Sequence, residues 1–352
     1  MGKIHIFVVP IFLLVVLVGV STHFIVTIYT ESFETFTRSE KNDLDKVIID
    51  TDAGADDAMA ILLVLQAEKN SSLGFQTIAI TCTYGNTILE NVERNVLKTL
   101  TIANRSDIPV FAGADKPLIQ KYTPSTYFGI DGFGDFKFTE PIHAEVNRSQ
   151  HAAIVLIELS KMYPGEITLL AIGPLTNIAL AQRLDAGFLS RLKNLVILGG
   201  SVAGVGNKSP NVEFNFYQDP EGNWITFNST EKPLTLIPWE TVRESKISKE
   251  WRETEFHKLN SPITIFLDKV ERISLEETDD WKPSDAIAAA VMIWPELITK
   301  NVTKNVTPVI DGLARGSILV DYADTTDHPK NTKIIQDINS PEFLQLVLKL
   351  FV

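Results

Sequence analysis

The chain has 352 residues, 45% of them hydrophobic and 22% charged, which fits a globular protein and excludes a disordered or collagen-like one. Its formal net charge is −12 with no basic cluster, which argues against nucleic acid as a partner. The single cysteine, Cys82, can form no disulfide within the chain and does not decide the redox compartment.

Residues 1–29 differ from the rest. Lys3 precedes an apolar run from Ile6 to Val20, and Phe24 to Tyr29 extends it. This is the pattern of a signal peptide or a signal anchor. Gly19 and Ser21 are small enough for cleavage, but the apolar run continues beyond them, as an uncleaved membrane anchor would. Residues 30–45 read as a polar tether. Asn70, Asn104, Asn147, Asn228, Asn301 and Asn305 each begin an N-x-S/T triplet, the acceptor pattern of a glycoprotein. Together these features predict the secretory pathway, with the bulk of the chain lumenal or extracellular.

The block Lys46 to Ala60, KVIIDTDAGADDAMA, organises the remainder of the chain. Val47-Ile48-Ile49 reads as a buried parallel strand, and the apolar stretch Ala58 to Leu65 as a helix. Gly54 is expected to permit the tight turn between them. Asp50, Asp52, Asp56 and Asp57 then gather at a strand's carboxyl end and a helix N-terminus, where α/β sheets place their sites. A helix cap needs one aspartate. Four so close together repel one another, and a hard divalent cation such as Ca²⁺ relieves that repulsion.

Beyond this block, apolar runs alternate with helical stretches. Strands are predicted at 47–50, 77–83, 110–112, 167–172, 195–198 and 234–237. Helices are predicted at 57–68, 89–103, 152–163, 175–183 and 220–227, and residues 243–300 look helical throughout. This alternation predicts an α/β fold: an open, mostly parallel central sheet flanked by helices, in one domain over 46–352.

Further polar groups lie beyond the strand ends. IAITCTYGN ends in Asn86, at the same edge as the aspartates. YFGIDGFGD, residues 127–135, is long for a plain connection and is read as a lid. After Gly199-Gly200 come Asn207, Asn211, Glu213, Asn215 and Asp219, a set suited to recognising hydroxyls. Asp285 opens an alanine-rich helix, either as an ordinary N-terminal acid or as a further metal ligand from a distant part of the chain.

With these motifs the chain from residue 46 onward resembles the nucleoside hydrolases. DTDAGADDA matches the family's DxDxGxDDA signature, and TYGN, LTN, LGG, EFN and the late Asp285 come after it in family order. The resemblance implies a Rossmann-like core, a Ca²⁺ at the sheet's carboxyl edge, and hydrolysis of a ribonucleoside to ribose and free base. It implies that Asp52 binds the metal and takes the proton of the attacking water, with Asn86 in support. Asp57, Asp285 and the carbonyl of Ile172 would be further ligands, with Asp285 also reaching the ribose. Asp56 and Asn215 would grip the ribose 2′- and 3′-hydroxyls, Asn207 and Glu213 would face the 5′-hydroxyl, and Asp50 would stand behind the ligands. The implied partner is a small-molecule nucleoside, and membrane anchoring and a homo-oligomer are both compatible with the chain.

The chain departs from the family at Ser284, where pyrimidine-accepting members carry a histidine that protonates the leaving base. Another family histidine aligns with Phe128. His328, in a late loop, is the remaining substitute acid. Purine-preferring members stack the base on aromatic rings instead, and Phe128, Phe133 and Trp281 are candidates for that stacking. Purine nucleosides are therefore the expected substrates. Two other readings compete. A haloacid dehalogenase-type phosphatase would use Asp50 of the DxD as nucleophile, but leaves Asp56, Asp57 and EFN unexplained. A nucleoside- or ribose-binding protein without catalysis would account for Ser284.

Overall fold

The computed structural model describes residues 44–352, so the expected leader and almost all of the tether lie outside the described residues. Each strand is set by a short apolar run. β1 (Asp45–Thr51), β2 (Phe75–Cys82), β3 (Val110–Phe111), β4 (Val146–Asn147), β5 (Ile167–Ala171), β6 (Asn194–Leu198) and β7 (Leu234–Ile237) pair in parallel. β8 (Ile298–Lys304) lies antiparallel to β11 (Thr332–Ile338), and β11 is parallel to β7. The strand order is β4-β3-β2-β1-β5-β6-β7-β11-β8. A separate antiparallel pair joins β9 (Val306–Pro308) to β10 (Ile318–Val320).

Order runs outward from β1 in both directions, so the β1/β5 boundary is the topological switch point of the sheet. Chain leaving the carboxyl ends of these two strands turns to opposite faces and opens a crevice there. Successive residues of β1 point to opposite faces. Val47 and Ile49 join one core cluster, Ile48 the other.

The helices packed on the sheet include α1 (Ala55–Glu68), α2 (Leu89–Ala103), α3 (Ala152–Met162), α4 (Thr176–Leu184), α5 (Phe214–Gln218), α6 (Pro262–Val270), α7 (Arg272–Glu277), α8 (Ser284–Ile293) and α9 (Ser340–Leu350). α1 is buried almost all round, from Ala58 to Leu65, because α8, α2, α6 and α9 surround it. Burying each large apolar side chain contributes about 1.5–3 kcal/mol. That density of apolar contact fixes the helix whose first turn carries the acids. Among the described residues no helix is long and apolar enough to cross a membrane.

Most of the expected strands and helices are present, with ends shifted by one or two residues. The structure adds β4, β8 to β11, α5, α9 and a short helix at Phe188–Arg191, and the stretch 243–300, expected to be helical throughout, is broken by loops such as 278–283 and enters β8 at Ile298. β8 reads ITKNVTK, five of its seven residues polar, as an edge strand allows. β11 becomes a strand by inserting between β7 and β8, a pairing that local pattern does not reveal.

Candidate functional site

The turn after β1 differs from expectation. Gly54 has an ordinary φ of −77°, while Ala53 takes the left-handed value of +35°. Glycine is needed at 54 for space: a Cβ there would meet Asn86 Nδ2 at 2.5 Å and Phe128 Cδ2 at 2.8 Å. Gly85 is likewise pressed against Asp52, whose Oδ2 would lie 2.0 Å from an added Cβ. The turn is locked by its own side chains. Thr51 Oγ1 donates to Asp57 Oδ1 at 2.5 Å, and the Gly54 amide to Asp57 Oδ2 at 2.8 Å.

Asp57 is the hub of the acidic cluster. Its carboxylate lies within 4.8 Å of those of Asp56 and Asp285, measured between one oxygen of each. Asp52 and Asp285 are both in hydrogen-bonding reach of it. Asn86 ties Asp52 and Asp57 together: its amide donates to Asp52 Oδ2 at 2.7 Å, and its Nδ2 to Asp57 Oδ2 at 3.3 Å. Asp285 arrives at the first turn of α8, from a distant part of the chain. Burial, then the neighbouring Asp57, pushes the carboxyls of Asp52 and Asp56 well above the usual range. Burial, then the charges of Asp56, Asp57 and Asp52, does the same to Asp285. Oδ1 of Asp52, Asp56 and Asp285 is in each case buried with no hydrogen-bond partner. Four acids in this state must be protonated or share a cation. The donor set is all oxygen, which fits a hard ion such as Ca²⁺.

The other expected residues fall around this cluster. Asn215 Nδ2 donates to the carbonyl of Ile172 at 3.1 Å and to that of Leu198 at 3.4 Å, linking the ends of β5 and β6. Glu213 caps α5 and also accepts from the Gly200 amide at 3.0 Å, and burial raises its carboxyl to about 7. Asn207 is exposed on the rim. Asp50 points to the other face of β1, fully buried, and accepts from Thr81 Oγ1 at 2.6 Å and Asn177 Nδ2 at 2.9 Å. Burial raises it to about 7. An acid so placed cannot act as a nucleophile, which removes the phosphatase reading.

Of these groups Asp56, Asn86, Asn207, Glu213, Asn215, Asp285 and Ile172 line a cavity of about 410 Å³, with Asp52 and Asp57 bonded to Asn86 behind them. The same cavity is lined by Tyr127, Phe128, Trp239, Leu275 and Trp281, and by the polar Glu271, Ser274, Thr278 and Lys282. Phe128 is half-buried and stands edge-on to Tyr127, with centroids 4.7 Å apart. Phe133 is not in the cavity: it is fully buried against Phe266, because the stretch around it runs into the core. The segment 127–135 is a bonded wall. Asp135 accepts from the amides of Ile130 and Asp131 at 3.0 and 2.9 Å, and Asn95 Nδ2 donates to the Asp131 carbonyl at 2.8 Å. Trp281 lines the cavity with its indole held from behind. Its Nε1 donates to Glu271 at 2.8 Å, and its ring stacks on Trp251 at 5.8 Å. Glu271 in turn accepts from the buried Arg252 guanidinium at 2.8 and 2.5 Å. No histidine among the described residues lines the cavity, and His328 is exposed elsewhere.

Of the wall from Glu271 to Lys282 the sequence pointed to Trp281 alone, and Glu271, Ser274, Leu275, Thr278 and Lys282 form no motif. Trp239 offers one signal, as it comes directly after the carboxyl end of β7.

Residues 47–345 match the family model described as inosine-uridine preferring nucleoside hydrolase. Uridine nucleosidase 1 of Arabidopsis thaliana is 40% identical over 209 residues, 58% of this chain and 60% of that protein, so the matched part spans less than two thirds of this relative. The pyrimidine-specific ribonucleoside hydrolase RihA of Shigella boydii is 31% identical over 86% of this chain and 96% of its own length. Among solved structures, an inosine-guanosine nucleoside hydrolase superposes with a TM-score of 0.77 at 28% identity, covering 87% of this chain and 98% of that one.

Proposed function

Because the chain belongs to the inosine-uridine preferring nucleoside hydrolase family, we propose that it hydrolyses the N-glycosidic bond of ribonucleosides, with Ca²⁺ bound and purine nucleosides favoured. The observation that carries this reading is the gathering of Asp52, Asp56 and Asp285, each with an unpartnered buried oxygen, around Asp57 beside a cavity that is also lined by aromatic rings.

Asp52, Asp57 and Asp285, with the carbonyl of Ile172, would hold the ion. A bound Ca²⁺ supplies positive charge that offsets the crowded carboxylates and makes a nearby water more acidic. The chain does the rest. Asp52, held through Oδ2 by the Asn86 amide, has Oδ1 free to take the proton of the attacking water. Asp56 and Asn215 hold the ribose 2′- and 3′-hydroxyls, and Asn207 and Glu213 the 5′-hydroxyl. As the bond to the base breaks, positive charge grows on the ribosyl ring, and the surrounding carboxylates and amide oxygens stabilise it.

The leaving base needs a proton. Ser284 is too weak an acid, and no described histidine lines the cavity. A purine can carry the proton on its imidazole nitrogen, and an aromatic neighbour such as Phe128 favours the cationic ring by about 1–2 kcal/mol when desolvated. That supports purine over pyrimidine, although relatives bear both kinds of name.

The test is ribose release from purified protein with a panel of nucleosides, with and without a chelator. Release from inosine at a higher kcat/KM than from uridine, abolished by chelation and restored by Ca²⁺, is expected. Equal rates on uridine would overturn the purine preference, and full activity in excess chelator the metal.

We further propose that the domain faces the lumen or exterior. Asn70, Asn104, Asn147, Asn228 and Asn301 are exposed, as glycan acceptors must be, and Asn305 is half-buried. A mobility shift on glycosidase treatment of protein from secretory cells is expected, and cytosolic fractionation without a shift would refute it.

A further inference from the structure

Asn95 stands in the middle of α2 and is 1% exposed. Asparagine is a poor helix former, and a buried amide must find partners. Both of its amide hydrogens are used on distant parts of the chain. Nδ2 donates one to the carbonyl of Ala53 at 3.2 Å and the other to the carbonyl of Asp131 at 2.8 Å. Oδ1 accepts from Lys98 Nζ at 3.1 Å, which fixes which way round the amide lies.

The two carbonyls belong to two parts of the site. Ala53, with its left-handed φ, lies between Asp52 and Gly54 in the turn that directs Asp52, Asp56 and Asp57. A strained φ persists where its surroundings over-determine it, and the bond from Asn95 is part of those surroundings. Asp131 lies in the segment 127–135. Its carboxylate accepts from the amides of Phe133 and Asp135 at 2.8 and 3.0 Å, and pairs with Lys98 at 3.6 Å. The Gly134 amide donates to the Phe128 carbonyl at 2.7 Å, so Phe128 moves with the segment. Thr87 Oγ1 donates to the Ile130 carbonyl at 3.1 Å, and Asn91, one helical turn before Asn95, donates to that hydroxyl at 3.0 Å. The Phe128 ring in turn lies against Gly54, too close for a Cβ to fit between them. One side-chain amide thus spans the acid-bearing turn and the segment that presents Phe128 to the cavity.

We propose that Asn95 is a positioning residue: it holds Phe128 in register with the acid-bearing turn, and so sets where the base lies relative to the attacking water. The proposal rests on reading the cavity as a nucleoside site. Asn95 does not line that cavity, so it acts through Phe128 rather than on the substrate.

The test is a double-mutant cycle with Asn95→Leu and Phe128→Ala, read as a ratio of two rates. The first is kcat/KM for the nucleoside that the wild-type enzyme cleaves fastest. The second is kcat/KM for p-nitrophenyl riboside, whose leaving group departs without a proton and depends little on the aromatic ring. Asn95→Leu should lower the ratio of first to second by about tenfold, as far as Phe128→Ala does, through misplacement of the base. In the double variant the ratio should fall by less than about threefold more, because a residue acting through Phe128 has nothing further to lose once the ring is gone. A smaller folded fraction lowers both rates alike and leaves the ratio unmoved. Asn95→Asp keeps the shape and the acceptor for Lys98 but loses the amide donors, and should lower the ratio in the same way. A ratio unchanged in the Asn95 variants, or a double variant in which the two losses multiply in full, would overturn the proposal. Where either substrate is not cleaved, dissociation constants for hypoxanthine and ribose from calorimetry replace the two rates under the same criteria. If no nucleoside at all is cleaved, the hydrolase reading fails, and those constants still decide the role of Asn95.

Discussion

The two ends of the cavity are built in different ways. The acidic end comes from strand ends at the switch point of the sheet and from the first turns of two helices, α1 and α8, packed on one another. It carries unpartnered carboxylate oxygens and mutual repulsion. The base-side wall comes from the irregular helices after β7, where the buried Arg252 pairs with the buried Glu271 and the partly exposed Asp268 behind Trp281. One end holds its charges unsatisfied and ready for a ligand, while the other pairs its buried charges to hold a ring in place. Substitutions should accordingly cost activity at the first end and stability at the second.

The largest expected effect is on the acidic end. Asp52→Asn should lower kcat by about 10²- to 10⁴-fold, the usual worth of a positioned base. It should leave the melting temperature of the metal-free protein no lower, since it removes a repelled charge. Ribose release and thermal melts on the same sample check both halves, and a variant with full kcat would break the comparison.

Next comes the wall. Arg252→Met leaves the buried Glu271 without its cation, while the partly exposed Asp268 keeps His257, and should destabilise the protein by about 3–5 kcal/mol, the cost of an uncompensated buried charge. Denaturant unfolding measures it. A loss below about 1 kcal/mol would mean that the cluster does not hold the wall.

Glu213, near the acidic cluster, sharpens the contrast through pH. Its folded value of about 7 lies above the ordinary 4.5. Between those values the folded carboxyl keeps a proton that the unfolded chain has lost. Stability should therefore fall as pH rises through this window, by up to about 3 kcal/mol, and then level off. Glu213→Gln should flatten that part of the profile, and melts across this range would show an unchanged slope if the assignment is wrong.

The smallest effect expected is at Phe128. Phe128→Ala should cost inosine turnover about tenfold in kcat/KM, as loss of a cation–π contact of about 1–2 kcal/mol implies. Calcium affinity should stay nearly unchanged, and a matching loss of Ca²⁺ binding would place Phe128 with the acidic end instead.

By itself the sequence determined the acidic end and the sheet that carries it. DTDAGADDA is contiguous, so strand, turn, helix and acids are specified within a few residues. The alternation of apolar runs with helical stretches likewise determined the parallel strands up to β7, β4 excepted, because each depends on local periodicity. Only the tertiary structure decided the rest. It brought Asp285 to Asp57, sent Asp50 to the opposite face of β1 and Phe133 into the core, and assigned the strained φ to Ala53 rather than Gly54. It also set Trp281, Glu271 and Lys282 along one wall. These placements arise from which faces pack together across long stretches of chain, and no short pattern of residues encodes that packing.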